Sequence, residues 1–374
     1  MQQSLYIHIP FCAKKCLYCD FYSVGYKKAL AQSYIEALTR QIKLLDEKFY
    51  TVYIGGGTPT SLEANLLKKL LKALSKASKG CAEFTVEANP ESLSQEKLKV
   101  LRDFGVNRIS IGIQSFNNEK LKTLGRIHNA ERAFSSVYLA AKNGFSNISI
   151  DLIFGVWNET MFSWKNELAQ AVRLPIKHIS CYSLTYERHT KLFTKVKNKA
   201  VIPLSDRNCS EMYKFTMGYL PKKYFRQYEI SNFAKRGFEC KHNLNYWENN
   251  PYAGLGVSAV SFLNGVRRKN ISDIEEYVRR IQKKESVVYS TEKLPPEKSA
   301  METAAIKIRT SKGIDFSWFR KKTGFDFMGI EKDAARELVK RKLLKYRLKN
   351  GQRAGVSATS KGFLFCDSVS SEFL

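Results

Sequence analysis

No apolar run in the 374 residues approaches the roughly 20 that a membrane-spanning helix requires, so the chain is read as soluble. There is no internal repeat and no low-complexity tract, which argues against a solenoid or a compositionally biased tail. No basic leader precedes the apolar residues 5–10, and that run is too short for a secretory signal. The expectation is a cytoplasmic protein that begins at its first strand. Acidic residues are scarce, with 35 Asp+Glu against 62 Lys+Arg and a formal net charge of +27. That balance suggests an anionic partner such as a nucleic acid, a membrane surface or a polycarboxylate ligand, and charge alone does not choose among them. Runs such as Arg267-Arg268-Lys269 and Arg320-Lys321-Lys322 lie far apart and read first as solvated faces.

The cysteines are too unevenly placed for a disulfide framework. Cys12, Cys16 and Cys19 crowd together, while Cys81, Cys181, Cys209, Cys240 and Cys366 are scattered and read as small buried hydrophobes. In an intracellular protein such crowding points to metal or cluster ligation. A cubane cluster takes four ligands, so three thiolates leave one iron open to a small molecule. The plainer alternative is a structural zinc with a distant fourth ligand.

What is present beyond the cysteines is a strand–helix alternation. Candidate strands at residues 5–9, 51–54, 83–87, 108–111, 148–153 and 178–184 alternate with helical patterns over 27–48, 62–76, 94–104, 130–142 and 160–172. Gly105 and Gly144 sit where helix C-caps are expected. The alternation predicts an α/β fold with a parallel sheet and right-handed crossovers, wholly or partly closed into a barrel. After about residue 235 the pattern changes. Gly254-Leu255-Gly256 reads as a turn, helices resume near 273–284, and 333–344 reads as a good helix within a mainly helical tail carrying a few short strands. The length also exceeds what one core sustains, so two domains are expected.

Polar residues fall at the ends of the candidate strands. Gly55-Gly56-Gly57-Thr58-Pro59-Thr60 follows the second, where glycines allow a ligand to approach the backbone. Glu87 ends the third, Gln114 follows the fourth and Asp151 lies on the fifth. In a barrel of parallel strands these ends form the active-site face, and such groups suit an amine, a ribose and an adenine edge.

Taken together, these motifs resemble the radical S-adenosylmethionine (SAM) family of oxygen-independent coproporphyrinogen III dehydrogenases and its haem-chaperone branch, HemW. The resemblance runs through Tyr6-Ile7-His8-Ile9-Pro10-Phe11-Cys12, the Gly55–Thr60 loop, residues 112–116, Gly125-Arg126-Ile127-His128, Tyr228-Glu229-Ile230-Ser231-Asn232-Phe233 and the helical tail. It implies a partial (β/α)6 barrel, read here as residues 1–235, and a C-terminal domain over 236–374. It also implies a [4Fe–4S] cluster on Cys12, Cys16 and Cys19. SAM would bind at the open iron, contacted by Tyr6, Gly56 and Glu87 with Tyr18 close by, and an electron from the cluster would cleave it to a 5′-deoxyadenosyl radical. A second SAM-contacting set falls on Gly57, Thr58, Gln114, Arg126 and Asp151.

Three features point to the chaperone branch. The dehydrogenases carry a fourth cysteine where this chain has Phe21, and a long N-terminal arm where this chain reaches Cys12 almost at once. His242-Asn243-Leu244-Asn245-Tyr246-Trp247 matches the motif associated with haem binding, which makes His242 the candidate iron ligand. The implied partners are haem, haem-accepting proteins and an electron donor; a dimer is allowed and no nucleic acid is expected. Arg267 or Arg268 would suit haem propionates, although nothing in the sequence selects them. The rival reading is the dehydrogenase of porphyrin biosynthesis, and a nucleic-acid modifier is suggested by charge alone. Gly155-Val156-Trp157-Asn158 departs from the family's Gly-Leu-Pro-Gly-like turn, and Val260 stands where the family commonly has histidine.

Overall fold

The computed structural model describes residues 3–374. The chain forms two compact units, one made of the residues up to Met212 with Pro251–Glu292, the other of Tyr213–Asn250 with Lys293–Leu374.

The first unit is built on six parallel strands, β1 (Ser4–Ile9), β2 (Thr51–Gly56), β3 (Glu83–Ala88), β4 (Arg108–Gln114), β5 (Ile148–Phe154) and β6 (His178–Ser183), hydrogen-bonded in that order. The helices α1 (Lys28–Lys43), α2 (Ala64–Leu74), α3 (Gln95–Asp103), α4 (Asn118–Leu124), α5 (Ala130–Lys142) and α6 (Met161–Ala171) form the connections. This is the partial (β/α)6 barrel that the family resemblance implied, and it agrees with the parallel sheet expected from the alternation. Each strand alternates with period two. Ile7, Val52, Ile54, Val86, Ile109, Ile111, Ile150 and Ile179 are buried in the core, while the intervening positions are polar. At the N-terminal end of the strands those polar groups satisfy one another: Thr51 Oγ1 donates to Ser4 Oγ at 2.7 Å, and Ser149 Oγ meets His178 Nδ1 at 2.7 Å. At the C-terminal end they open into a cavity.

The sheet continues on the other side of β1. β7 (Tyr252–Leu255) runs parallel to β1, with Tyr6 opposite Gly254 and Ile7 opposite Leu255, and β8 (Val260–Leu263) and β9 (Val266–Asn270) follow antiparallel. The sequence reading of Gly254-Leu255 as a turn is therefore corrected. A Cβ on Gly254 would lie 2.0 Å from the Val260 carbonyl oxygen, so this glycine serves close strand approach, and the bend falls at Gly256 with φ +100°. Gly105 and Gly144 take positive φ just past α3 and α5, as C-cap glycines do.

The second unit contains α7 (Lys241–Trp247), α8 (Pro296–Lys307), β10 (Ile314–Asp315), α9 (Phe316–Thr323), α10 (Lys332–Lys340), β11 (Leu344–Lys349) and β12 (Gln352–Ala358). The predicted helix over 333–344 stops at Lys340. Leu344 already pairs with Ala358 in an antiparallel ladder, because Lys342 turns the chain with φ +61°. No helix among the described residues is long and apolar enough to cross a membrane.

Candidate functional site

The cysteine segment leaves β1 at Pro10 and is tied back on itself. Phe11–Cys12 pairs in parallel with Val24–Gly25, Val24 N–H donates to the Pro10 carbonyl at 2.7 Å, and Tyr26 N–H donates to that of Cys12 at 3.0 Å. The middle of the loop is held from outside: Leu17 N–H donates to Leu124 O at 3.3 Å and Leu192 N–H to Leu17 O at 2.9 Å. Leu17 and Tyr18 pack against a buried cluster that includes Leu124, Ile153, Val156 and Leu184. Val156 belongs to the departing Gly155–Asn158 turn, so that turn supports the loop from below.

A cavity of about 520 Å³ opens at the C-terminal ends of the strands, in the size range of small-molecule sites. Its wall contains Cys12, Cys16, Tyr18, Cys19, Gly56, Gly57, Thr58, Glu87, Gln114, Arg126 and Asp151. Two expected contacts are not on that wall. Tyr6 lies inside the barrel, stacked on Tyr53 with ring centroids 6.2 Å apart. His242 is on α7 in the second unit.

Within the cavity a hydrogen-bonded chain links two of the cysteines. Thr58 Oγ1 stands 3.6 Å from Cys12 Sγ and accepts from Asn89 Nδ2 at 2.7 Å. Asn89 Oδ1 in turn accepts from Arg126 Nη2 at 2.7 Å, and Arg126 Nη1 donates to Cys16 Sγ at 3.3 Å. With its oxygen accepting from the amide, the Thr58 hydroxyl proton is free to point at Cys12. Both sulfurs thus face donors, the arrangement a thiolate needs. Arg126 reaches inward because Gly125 ends α4 in the left-handed region; a Cβ there would press on Leu17 Cγ at 3.0 Å.

Glu87 is held by Tyr53, whose hydroxyl donates to Oε1 at 2.7 Å, and by Gly56 N–H, which donates to Oε2 at 3.1 Å. Burial nonetheless pushes its carboxyl up to about 7, with help from the nearby Asp151 charge. Burial likewise raises Asp151, against hydrogen bonds from Ser180 and Ser110. Two carboxyls whose charge is made costly by burial favour a cationic partner. Burial also pushes Cys12 up, and Cys19 up to about 11, so these thiols call for a positive centre as well.

Asn89 was missed as a site residue by sequence reasoning, although it stands two positions after Glu87 in a strand-end motif. His8 was missed too. Its Nε2 bonds the Tyr22 carbonyl at 2.9 Å, which can only accept, so Nε2 carries the proton and Nδ1 accepts from the Tyr6 hydroxyl at 3.1 Å. Burial lowers its pKa, and the neutral ring ties the cysteine loop to β1. A Cβ on Gly56 would meet that ring at 2.7 Å.

The chain is 37% identical over 375 residues to the heme chaperone HemW of Lactococcus lactis, a match covering 99% of this chain and 97% of that one. It belongs to the HemW family of radical SAM proteins. Residues 6–169 match the Radical SAM superfamily. HemW of Escherichia coli is 36% identical over 70% of this chain and 71% of its own. In structure, coproporphyrinogen III oxidase (HemN) from Escherichia coli, a radical SAM enzyme, superposes with a TM-score of 0.86 over 100% of this chain and 90% of that one. At 22% identity that likeness shows the shared fold.

The radical SAM family implies SAM and a [4Fe–4S] cluster, and the residues present fit both. Three thiols border one cavity, and a Cβ on Gly57 would fill the space beside Cys12 Sγ, 3.0 Å away. Among the described residues no three His, Cys, Asp or Glu converge closely enough to grip one metal ion. Phe21 is 70% exposed on the cavity rim and offers no donor atom.

His242 is 1% exposed. Its Nε2 bonds the Tyr246 hydroxyl at 2.9 Å, with the two rings edge to face, their centroids 4.9 Å apart. Arg267 pairs with Glu292 at 2.6 Å.

Proposed function

We propose that this chain takes up haem and passes it to acceptor proteins, with a [4Fe–4S] cluster on Cys12, Cys16 and Cys19 and SAM in the adjoining cavity. The observation that carries the reading is the pairing of a three-thiol cavity with Phe21 at its rim, where a porphyrinogen-processing relative would have another cysteine. Family membership alongside a protein named heme chaperone supports the same conclusion.

The cluster, when bound, supplies an open iron for the amino and carboxylate groups of SAM and a source of one electron. The remaining work falls to the chain. Cys12 and Cys16 are oriented by Thr58 and by Arg126, and the Asn89 amide keeps those two in register. The Gly55–Gly57 backbone gives room for the methionine moiety, and Glu87 supplies a carboxylate toward its ammonium group. Asp151 and Gln114 line the part of the cavity suited to ribose and adenine. Tyr6 acts indirectly, fixing His8 and through it the cysteine loop.

Haem ligation by His242 requires the Tyr246 hydroxyl to give up Nε2. In this reading α7 has a closed state, observed here, and an open state in which the imidazole reaches iron. The decisive experiment reconstitutes the cluster anaerobically and supplies SAM with either haem or coproporphyrinogen III. Stoichiometric haem uptake, lost in His242→Ala, and no protoporphyrinogen are expected. Catalytic turnover of the porphyrinogen overturns the chaperone reading in favour of the dehydrogenase. Uptake that survives His242→Ala removes that ligand.

A further inference from the structure

The net charge of +27 is not spread evenly. Between positions 332 and 353 nine exposed Lys and Arg side chains stand against two acids, Asp333 and Glu337. The fold organises them. On α10, Lys332, Arg336 and Lys340 recur every fourth residue and are all exposed, which aligns them as one stripe, while Ala335 and Leu338 face the core. On β11, Lys345 and Arg347 alternate with the buried Leu344 and half-buried Tyr346, which puts these two charges on one face of the ribbon, and the exposed Lys349 follows past a ladder irregularity after Arg347. Arg341 and Lys342, both exposed, lie in the connection between the helix and the strand. Arg341 is engaged by Glu372 at 3.0 Å, whereas no salt bridge joins any of the six stripe residues to an acid among the described residues.

The surrounding topology gives the stripe a meaning. Helix α8, the short strand β10, helices α9 and α10, then the β11–β12 hairpin follow in order, with β12 pairing both β10 and β11 in an antiparallel three-strand sheet. Asn350 and Gly351, both at positive φ, close the hairpin tightly. This is the layout of a winged helix-turn-helix module, in which the last helix enters a groove and the hairpin follows the phosphates. We infer that the second unit binds duplex DNA, with α10 in the major groove and β11 along the backbone. B-form DNA is the form that admits a helix, since its major groove is about 12 Å wide, whereas the deep, narrow groove of A-form RNA does not. A membrane surface fits less well, because an interfacial helix needs a large exposed apolar face. The only large apolar side chain exposed on this helix and hairpin is Leu348.

This inference does not depend on the haem reading. It is tested with the full chain and a fluorescein-labelled 20-base-pair duplex of mixed sequence, followed by anisotropy. If the six stripe residues each neutralise a phosphate, the slope of log K against log salt is about −5, or roughly 10³-fold weaker binding at 200 mM than at 50 mM salt. The combined variant Arg336→Glu, Lys340→Glu, Lys345→Glu should bind at least tenfold more weakly, with the slope reduced by about 3. Reversing the exposed Lys68, Lys72 and Lys79 of the first unit changes net charge equally and should leave binding within twofold. The neutral pair Arg336→Gln, Lys340→Gln serves if charge reversal unfolds the unit. Absence of binding at 50 mM salt, equal loss in the control variant, or equal affinity for duplex RNA or for vesicles of anionic phospholipid overturns the proposal.

Discussion

Replacing Gly57 by alanine isolates the steric requirement of the cysteine loop. Gly57 does not adopt a positive φ, so the substitution introduces no backbone strain and its whole effect comes from one methyl group. That methyl would stand 2.7 Å from the Phe11 carbonyl oxygen and 3.0 Å from Cys12 Sγ. The first distance falls about 0.7 Å short of ordinary contact, deep in the repulsive wall. The carbonyl cannot easily withdraw, because it accepts from Thr58 N–H at 2.7 Å and from the Ser61 hydroxyl at 3.2 Å. Overpacking of this kind costs about 1–3 kcal/mol, which in a unit of this size lowers Tm by roughly 2–10 °C. Because Phe11 carries Cys12 directly behind it, relief by backbone movement displaces the first thiol. Thermal unfolding followed by near-UV circular dichroism, with iron content after anaerobic reconstitution, reads both consequences. A Gly57→Ala protein that melts within 1 °C of the parent and loads full iron would refute the argument, since the methyl would then have found space that the structure denies it.

Other outcomes follow from the same geometry. The Glu87 carboxyl, raised to about 7, contributes stability that is complete at acid pH and lost as pH rises through 7. A bound ammonium reverses the preference, so SAM affinity should rise up to tenfold between pH 6 and pH 8, and Glu87→Gln should flatten that rise; titration calorimetry with an unchanged slope in the variant excludes Glu87 as the linked group. Lys120 lies between Glu159 and Glu167, at 2.5 and 3.0 Å, with all three side chains nearly inaccessible. Lys120→Met strands two buried carboxylates at a cost of about 3–5 kcal/mol, read as a Tm lower by roughly 10 °C. Burial already raises Glu159, so this deficit should shrink as pH falls from 8 to 5 and Glu159 takes up a proton; a deficit constant with pH contradicts it. Tyr246→Phe removes the hydroxyl that occupies His242 Nε2 and should speed haem association in stopped-flow absorbance, whereas slower association means that the hydroxyl orients the imidazole for iron.

The elements of the barrel were legible because their signals are local. Residues 130–142 carry a helical period and form α5 with those bounds, and the six apolar stretches became β1–β6 with ends shifted by a few residues. The cysteine spacing and the strand-end positions of Glu87, Gln114 and Asp151 were likewise readable, since one chain segment or one strand end defines each. Misreadings arose where a residue's role depends on a distant neighbour. Gly254 looks like a turn glycine until Val260 is laid across it, and residues 341–344 look helical until Leu344 finds Ala358.

By itself, then, the sequence determined the alternation of strand and helix, the three thiols and the family. The tertiary structure decided which polar groups meet. The chain from Cys12 through Thr58, Asn89 and Arg126 to Cys16 joins residues up to 110 positions apart, and no periodicity encodes such a closure. It exists because the parallel order of β1 to β4 brings their C-terminal ends to one rim. In the same way His242, a plain candidate ligand in the sequence, is held by Tyr246 one helical turn later because both project from the same face of α7.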